Sequence, residues 1–291
     1  MAVRLVPRLD VKGPNLVKGI HLEGLRVMGK PEAFARYYYS HGADELIFMD
    51  AVASLYGRNH LSAIVSSVAR DIFIPLCVGG GLRSVEDIRD VLRAGADKVS
   101  LNTHVTKHPE LITEAANLFG SSTIVVALEV IRQPNGEYRC FTDGGREETD
   151  LDAFGWARRA AELGAGEILI TSVNRDGTGK GFDLDLCSKI TDAVDIPVIV
   201  HGGAGSSEHL VEAALSTSID ALCVASILHY DAIEHLALNE SEFPREGNIE
   251  FMRAGQKFGN IQPASIADLK AELINAGIDV RPIVRERSPA A

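Results

Sequence analysis

The stretch Ile72-Phe73-Ile74-Pro75-Leu76-Cys77-Val78-Gly79-Gly80-Gly81-Leu82-Arg83-Ser84 decides the fold. It opens with an apolar run of strand length and turns on three glycines. The residues after it, 85–92, follow a helical pattern. Glycines between a buried strand and a helix let backbone N–H groups approach an anion, and a helix N-terminus favours negative charge. Taken alone, such a turn is a weak signal and reads as an ordinary tight connection. The construction returns at Ile196-Pro197-Val198-Ile199-Val200-His201-Gly202-Gly203-Ala204-Gly205-Ser206. Two matching turns point to a duplicated design.

Working outward, short apolar runs at 5–11, 45–50, 72–78, 98–101, 123–128, 167–170, 196–201 and 221–224 predict strands. Helical patterns at 31–41, 61–70, 85–94, 109–119, 151–163, 184–193 and 207–215 fall between them. Continuous apolar strands belong to a parallel sheet buried on both faces. Eight βα units in 291 residues predict a single-domain (β/α)₈ TIM barrel. The runner-up, an open doubly wound sheet, lacks a GxGxxG turn after its first strand. Gly42-Ala43-Asp44-Glu45-Leu46 recurs as Gly164-Ala165-Gly166-Glu167-Ile168, Gly79 as Gly202 and Asp97 as Asp220, at a spacing of about 120 residues. That spacing is too long for a solenoid and predicts two half-barrels related by a pseudo-twofold axis. Residues 12–30 read as a loop carrying Lys18, and 131–150 as a hairpin-like excursion. Residues 230–263 read as an inserted loop on the strand-end face, partly helical near 249–254. A final helix follows at 266–276, and 285–291 read as a frayed tail.

A hydrophobic fraction of 46% supports a large core. The net charge of −11 argues against a general nucleic-acid binder. It does not exclude phosphorylated substrates, because backbone N–H groups and a few local cations suffice. The N-terminus lacks a leader pattern and no apolar run approaches about 18 residues, so a cytoplasmic protein without membrane attachment is expected. Cys77, Cys140, Cys187 and Cys223 are scattered and read as reduced thiols. His104 and His108 lack a third ligand, so no metal is expected, and no cofactor.

Barrel enzymes act at the C-terminal ends of their strands. Asp10 and Glu129 end strands one and five, opposite each other, where two carboxylates divide acid and base roles. The glycine turns end strands three and seven, beside Asn102-Thr103 and Ala225-Ser226 at the ends of strands four and eight. Together they predict two phosphate sites for a long substrate, with further backbone donors from Asp176-Gly177-Thr178-Gly179. Asn102, Thr103 and Ser226 also read as helix N-caps. At the other face Arg4, Glu45, Lys98 and Glu167 start strands one, two, four and six. Charges of alternating sign there read as a stabilising ring.

Leu9-Asp10-Val11-Lys12 with Val17-Lys18-Gly19, Val78-Gly79-Gly80-Gly81, Ala96-Asp97-Lys98-Val99-Ser100, Arg175-Asp176-Gly177-Thr178 and His201-Gly202-Gly203-Ala204-Gly205 resemble the cyclase-subunit family of imidazole glycerol phosphate synthase. The likeness spans about residues 3 to 230 and the final helix. It implies a lyase of histidine biosynthesis that takes ammonia from a glutamine amidotransferase partner in a heterodimer. The substrate would be a bis-phosphorylated formimino-carboxamide ribotide. The products would be imidazole glycerol phosphate and an aminoimidazole carboxamide ribotide. By the same resemblance Asp10 and Glu129 are catalytic and Lys18 meets the substrate. Gly81, Asn102 and Thr103 bind one phosphate; Asp176, Gly177, Gly203, Ala225 and Ser226 bind the other. Arg4, Glu45, Lys98 and Glu167 gate the ammonia entrance.

Four features depart from the family pattern. Glu129 replaces a second aspartate, Arg8 a cysteine and His201 a small residue, and 230–263 is additional. Two alternatives follow: a paralogue that amidates another acceptor such as a nucleotide-linked sugar, and a non-catalytic barrel that activates a glutaminase.

Overall fold

The computed structural model of the chain describes residues 2–53, 61–236 and 260–283. The strands are β1 (Arg4–Lys12), β2 (Asn15–Ile20), β3 (Glu23–Gly29), β4 (Leu46–Asp50), β5 (Leu76–Gly79) and β6 (Lys98–Leu101). They continue as β7 (Ile124–Arg132), β8 (Tyr138–Thr142), β9 (Glu147–Asp152), β10 (Glu167–Ser172), β11 (Val198–His201) and β12 (Ala221–Val224). The helices are α1 (Pro31–Ser40), α2 (Ser62–Val68), α3 (Val85–Arg93), α4 (Glu110–Phe119), α5 (Ala153–Glu162), α6 (Leu184–Thr191), α7 (Ser207–Ser216), α8 (Ser226–His235) and α9 (Ile266–Asn275).

The parallel strands run in the order β10-β11-β12-β1-β4-β5-β6-β7, and β7 pairs back onto β10. That closes an eight-stranded (β/α)₈ barrel and puts β1 opposite β7. Alternation along each strand sorts side chains into two cores. Outward residues such as Leu5, Leu9, Phe48 and Val78 pack under the helices. Inward residues Val6, Ile47, Cys77, Val125, Leu169, Ile199, Ala221 and Cys223 fill the lumen. Among the described residues no helix is long and apolar enough to cross a membrane.

The half-barrel repeat has a concrete form at the strand starts. Asp97 N–H donates to Leu76 O (2.9 Å) while its carboxylate accepts from Leu76 N–H (2.9 Å). Asp220 repeats both bonds on Val198, at 3.0 and 2.9 Å. Asp44 does the same on Leu5, at 3.1 and 2.8 Å. The fourth member is Gly166, which keeps only the backbone bond, to Ile124 O (2.9 Å). A Cβ there would overlap the Ser121 carbonyl, so the repeat had to give up its carboxylate.

The hairpin-like excursion at 131–150 is present: β7 runs on to Arg132 and pairs antiparallel with β8, and β8 with β9. Two expectations need correction. Residues 12–30 are not a loop: β2 and β3 form an antiparallel hairpin on β1, and Lys18 projects from β2. The proposed insertion does not begin at Tyr230, because residues 230–235 belong to α8. The expected helix near 249–254 and the tail at 285–291 lie outside the described residues. The chain returns on the strand-end face: Gln262 N–H donates to Gly205 O (2.7 Å), beside the second glycine turn.

Candidate active site

The C-terminal ends of the strands surround a cavity of about 340 Å³. Its walls include Asp10, Lys18, Gly81, Asn102, Thr103 and Glu129, so the structure brings these expected residues together. Asp50, Ser100 and Arg8 line it as well. A second, narrow cleft adjoins it, lined by Lys18, Asp176, Gly177, His201, Gly203, Ala225 and Ser226. Lys18 faces both.

Asp10 sits near the end of β1, where it is 5% exposed. Arg8, two residues earlier on the same inward face, donates from Nε to Asp10 Oδ1 (2.8 Å) and from Nη1 to Thr171 Oγ1 (3.0 Å). Burial works against the guanidinium charge, but Asp10 beside it more than compensates and raises its pKa. Glu129 lies across the mouth on β7. Gly145, in the turn between β8 and β9, donates its N–H to Glu129 Oε2 (2.8 Å). Burial pushes the Glu129 carboxyl up to about 6, against the lowering effects of the Gly145 amide, Arg8 and Asn102. The two carboxyls are therefore unlike: one in a salt bridge, the other titrating near neutrality.

The first glycine turn holds Gly80 and Gly81 at φ of 101° and 70°, the left-handed region that glycine tolerates. At the start of α3, Asp87 accepts from Arg83 N–H (2.9 Å) and Ser84 N–H (3.0 Å), so those two amides are engaged within the helix cap. Asn102 and Thr103 are not N-caps, because Pro109 occupies that position in α4.

In the second cleft the N-cap of α8 is Ala225, and Ser226 is its first residue, without a side-chain cap. Uncapped first-turn amides are a ready anion site. Gly203 is at φ 109°, and a Cβ there would overlap Gly181 O. Asp176, which lines the cleft, is heavily bonded within the protein. Its N–H is bonded to Ser172 O (2.9 Å), and its carboxylate accepts from Lys18 Nζ (2.8 and 3.0 Å) and Leu22 N–H (3.1 Å). Burial opposes that charge, but Lys18 beside it holds the carboxyl far below the usual carboxylate range. Asp176 and Gly177 both line the cleft, with Lys18 bonded to the Asp176 carboxylate.

At the opposite end Arg4, Glu45, Lys98 and Glu167 close a ring. Arg4 bonds Glu45 (2.6 Å) and Glu167, and Lys98 bonds Glu45 (3.0 Å) and Glu167 (2.9 Å). Burial raises the Glu45 pKa, partly offset by Lys98 and Arg4. Burial alone would lower Lys98, but the two glutamates raise it. The ring spans the lumen floor and reaches solvent through Arg4 and Lys98, at 25% and 19% side-chain exposure.

Sequence reasoning missed Asp50 and Thr171 and gave Arg8 no partner. The signal for Arg8 was its register: it shares the inward face of β1 with Asp10.

The sequence model of the histidine biosynthesis protein family matches residues 4–234. The chain is 56% identical over 206 residues to "Imidazole glycerol phosphate synthase subunit HisF" of Legionella pneumophila, covering 71% of this chain and 97% of that protein. It is 46% identical over 261 residues to the subunit of the same name from Methanopyrus kandleri, covering 81% and 96%. With that of Exiguobacterium it shares 52% over 226 residues, covering 78% and 88%.

Proposed function

The chain belongs to the histidine biosynthesis protein family, and we propose that it carries out the cyclase reaction of imidazole glycerol phosphate synthase. It is a lyase that uses ammonia to convert a bis-phosphorylated formimino-carboxamide ribotide to imidazole glycerol phosphate and an aminoimidazole carboxamide ribotide. The observation that carries this reading is the pair of unlike carboxyls held between two glycine turns at one barrel mouth. Amidation of another acceptor, or a purely activating barrel, is not favoured: the named relatives are all HisF subunits over most of the chain, and both turns and Asp10 are retained.

Ammonia addition needs a proton removed from nitrogen and one delivered to the accepting oxygen, and the cleavage that accompanies ring closure needs one delivered to the departing nitrogen. Asp10, fixed by Arg8, serves as the base. Glu129, with its pKa near 6, serves as the proton donor. The amides around Gly81, with Asn102 and Thr103, bind one phosphate. Gly177, Gly203, Ala225 and Ser226 bind the other, and Lys18 bridges the two ends.

The partner is a subunit of the synthase complex, and we assign it as a glutamine amidotransferase seated on the N-terminal rim. The large exposed apolar side chains support that seat. Phe73 precedes β5, while Leu118, Leu215 and Ile274 lie in the last turns of α4, α7 and α9. All four therefore belong to the rim that carries the Arg4–Lys98 ring, where ammonia would enter. We place the enzyme in the cytoplasm with its pathway.

The test is substrate consumption by the purified chain with an ammonium salt. The wild type turns over, and Asp10→Asn loses about 10²- to 10⁴-fold while keeping its circular dichroism spectrum. A wild-type chain that leaves the formimino substrate untouched yet stimulates a glutaminase refutes the reading.

A further inference from the structure

His201 ends β11 at the floor of the second cleft and is 4% exposed. Its Nδ1 lies 3.0 Å from the Cys223 carbonyl oxygen. A carbonyl only accepts, so Nδ1 carries a hydrogen and donates. A neutral imidazole has one N–H, which leaves Nε2 bare. That nitrogen is buried without a hydrogen-bond partner, and it points at Asp176 Oδ1, 3.3 Å away. Two acceptors face each other across a gap that fits one proton.

In the ligand-free protein the gap stays empty. Burial lowers the imidazole pKa, and Arg8 and Lys18 lower it further, against the pull of Asp176. The charged and titratable neighbours among the described residues are these. Arg8 of β1 is paired with Asp10, and Lys18 of β2 with Asp176. On β12 burial raises the Cys223 thiol, keeping it neutral. On α8 burial lowers His229 to about 3. Arg175 is tied to Lys180 O, and His209 of α7 accepts from Gly205 N–H. The fixed charges in direct contact with the site cancel pairwise. A phosphate dianion entering beside Gly203 and Ser226 adds negative charge to a balanced site. The proton gap beside Asp176 is the place in the cleft that answers it.

We propose that His201 is an anion-recognition residue of the second cleft and takes up one proton at Nε2 when a phosphate monoester enters. The imidazolium then donates from Nε2 to Asp176 and adds one positive charge beside the incoming anion, and Lys18 is shared between Asp176 and that anion. The inference rests on the reading of this cleft as a phosphate grip. It also gives a chemical reason for a histidine where the family resemblance led us to expect a small side chain: this grip recognises charge by changing its own.

The experiment is calorimetric titration of the full chain with the bis-phosphorylated substrate, without ammonia, in buffers of different ionisation heat. Working at about pH 7.5 to 8.5 keeps the phosphates themselves dianionic, since their second pKa is about 6. Wild type should take up about one proton on binding, with affinity falling as pH rises. His201→Ser should bind about tenfold more weakly, without uptake and with a flat pH profile. Because that substitution opens a small void, ¹⁵N-histidine spectra of the unmodified chain give a second readout: Nε2 should change from bare to protonated on saturation. Binding without proton uptake, or equal uptake in His201→Ser, overturns the role of His201 and leaves the phosphate grip standing. No binding of the bis-phosphate by wild type overturns the grip and the proposal with it.

Discussion

The two ends of the lumen carry the same kinds of charge in different balance. At the floor two cations and two carboxylates alternate, and each carboxylate meets both cations. At the mouth Arg8 pairs with Asp10, and Glu129 has the Gly145 amide and Asn102 but no salt-bridge partner among the described residues. A closed, neutral ring has no reason to exchange protons. A surplus carboxyl in a buried site does, and its pKa moves to about 6. The difference separates a structural gate from a chemical site without reference to any ligand.

The sharpest way to break the contrast is Glu129→Gln. As proton donor Glu129 should be worth about 10²-fold or more in kcat. Its folded-state pKa is raised, so the folded chain binds more protons than the unfolded one across the window from the ordinary glutamate value to about 6. Stability therefore falls as pH rises through that window, and the penalty is complete above it. Glu129→Gln should lose turnover yet melt a few degrees higher than wild type at about pH 7.5, with the gain shrinking by about pH 5. A variant that loses activity and melts lower at both pH values would mean that Glu129 holds the β8–β9 turn and moves no proton.

The floor should answer in the opposite way. Lys98→Met leaves Glu45, whose side chain is 1% exposed, and Glu167 sharing Arg4 alone. Removing one partner from a buried ion cluster costs about 3 kcal/mol, moderated here because Lys98 reaches solvent. Thermal unfolding should report that loss. Turnover with added ammonium salt should stay within about threefold of wild type, while turnover driven by glutamine through the partner falls further. Equal loss in both assays would remove the distinction between gate and site.

Much of this was legible in the chain because parallel barrel strands are continuous apolar runs, and because charged residues at either end of such a run must sit at a barrel rim. The hairpin of β2 and β3 was not. Its turn residues, His21 and Leu22, adopt φ of 55° and 61°, where a hairpin turn favours asparagine and glycine. Helix α8 was lost for another reason. Residues from Ser226 to Ile233 are all buried, so no polar face marks the helical period. At the site, residue identities showed where charge lies but not who holds it. The Asp176 carboxylate is bonded by Lys18 coming across from β2, and β2 was the element the sequence concealed.

The smallest predicted effect tests whether the repeat is energetic as well as geometric. Asp97 and Asp220 each grip the first residue of the preceding strand by the same two bonds, β5 in one half and β11 in the other. If the half-barrels are equivalent, Asp97→Ala and Asp220→Ala should each cost about 1 to 2 kcal/mol in denaturant unfolding, and the double variant should cost the sum. Asp44→Ala should cost more, because Lys270, 2% exposed, loses the carboxylate it bonds at 2.7 Å. Gly166, which has no carboxylate to lose, marks the position where the symmetry is already broken. Unequal costs at 97 and 220 would show that the halves share a plan and not a load.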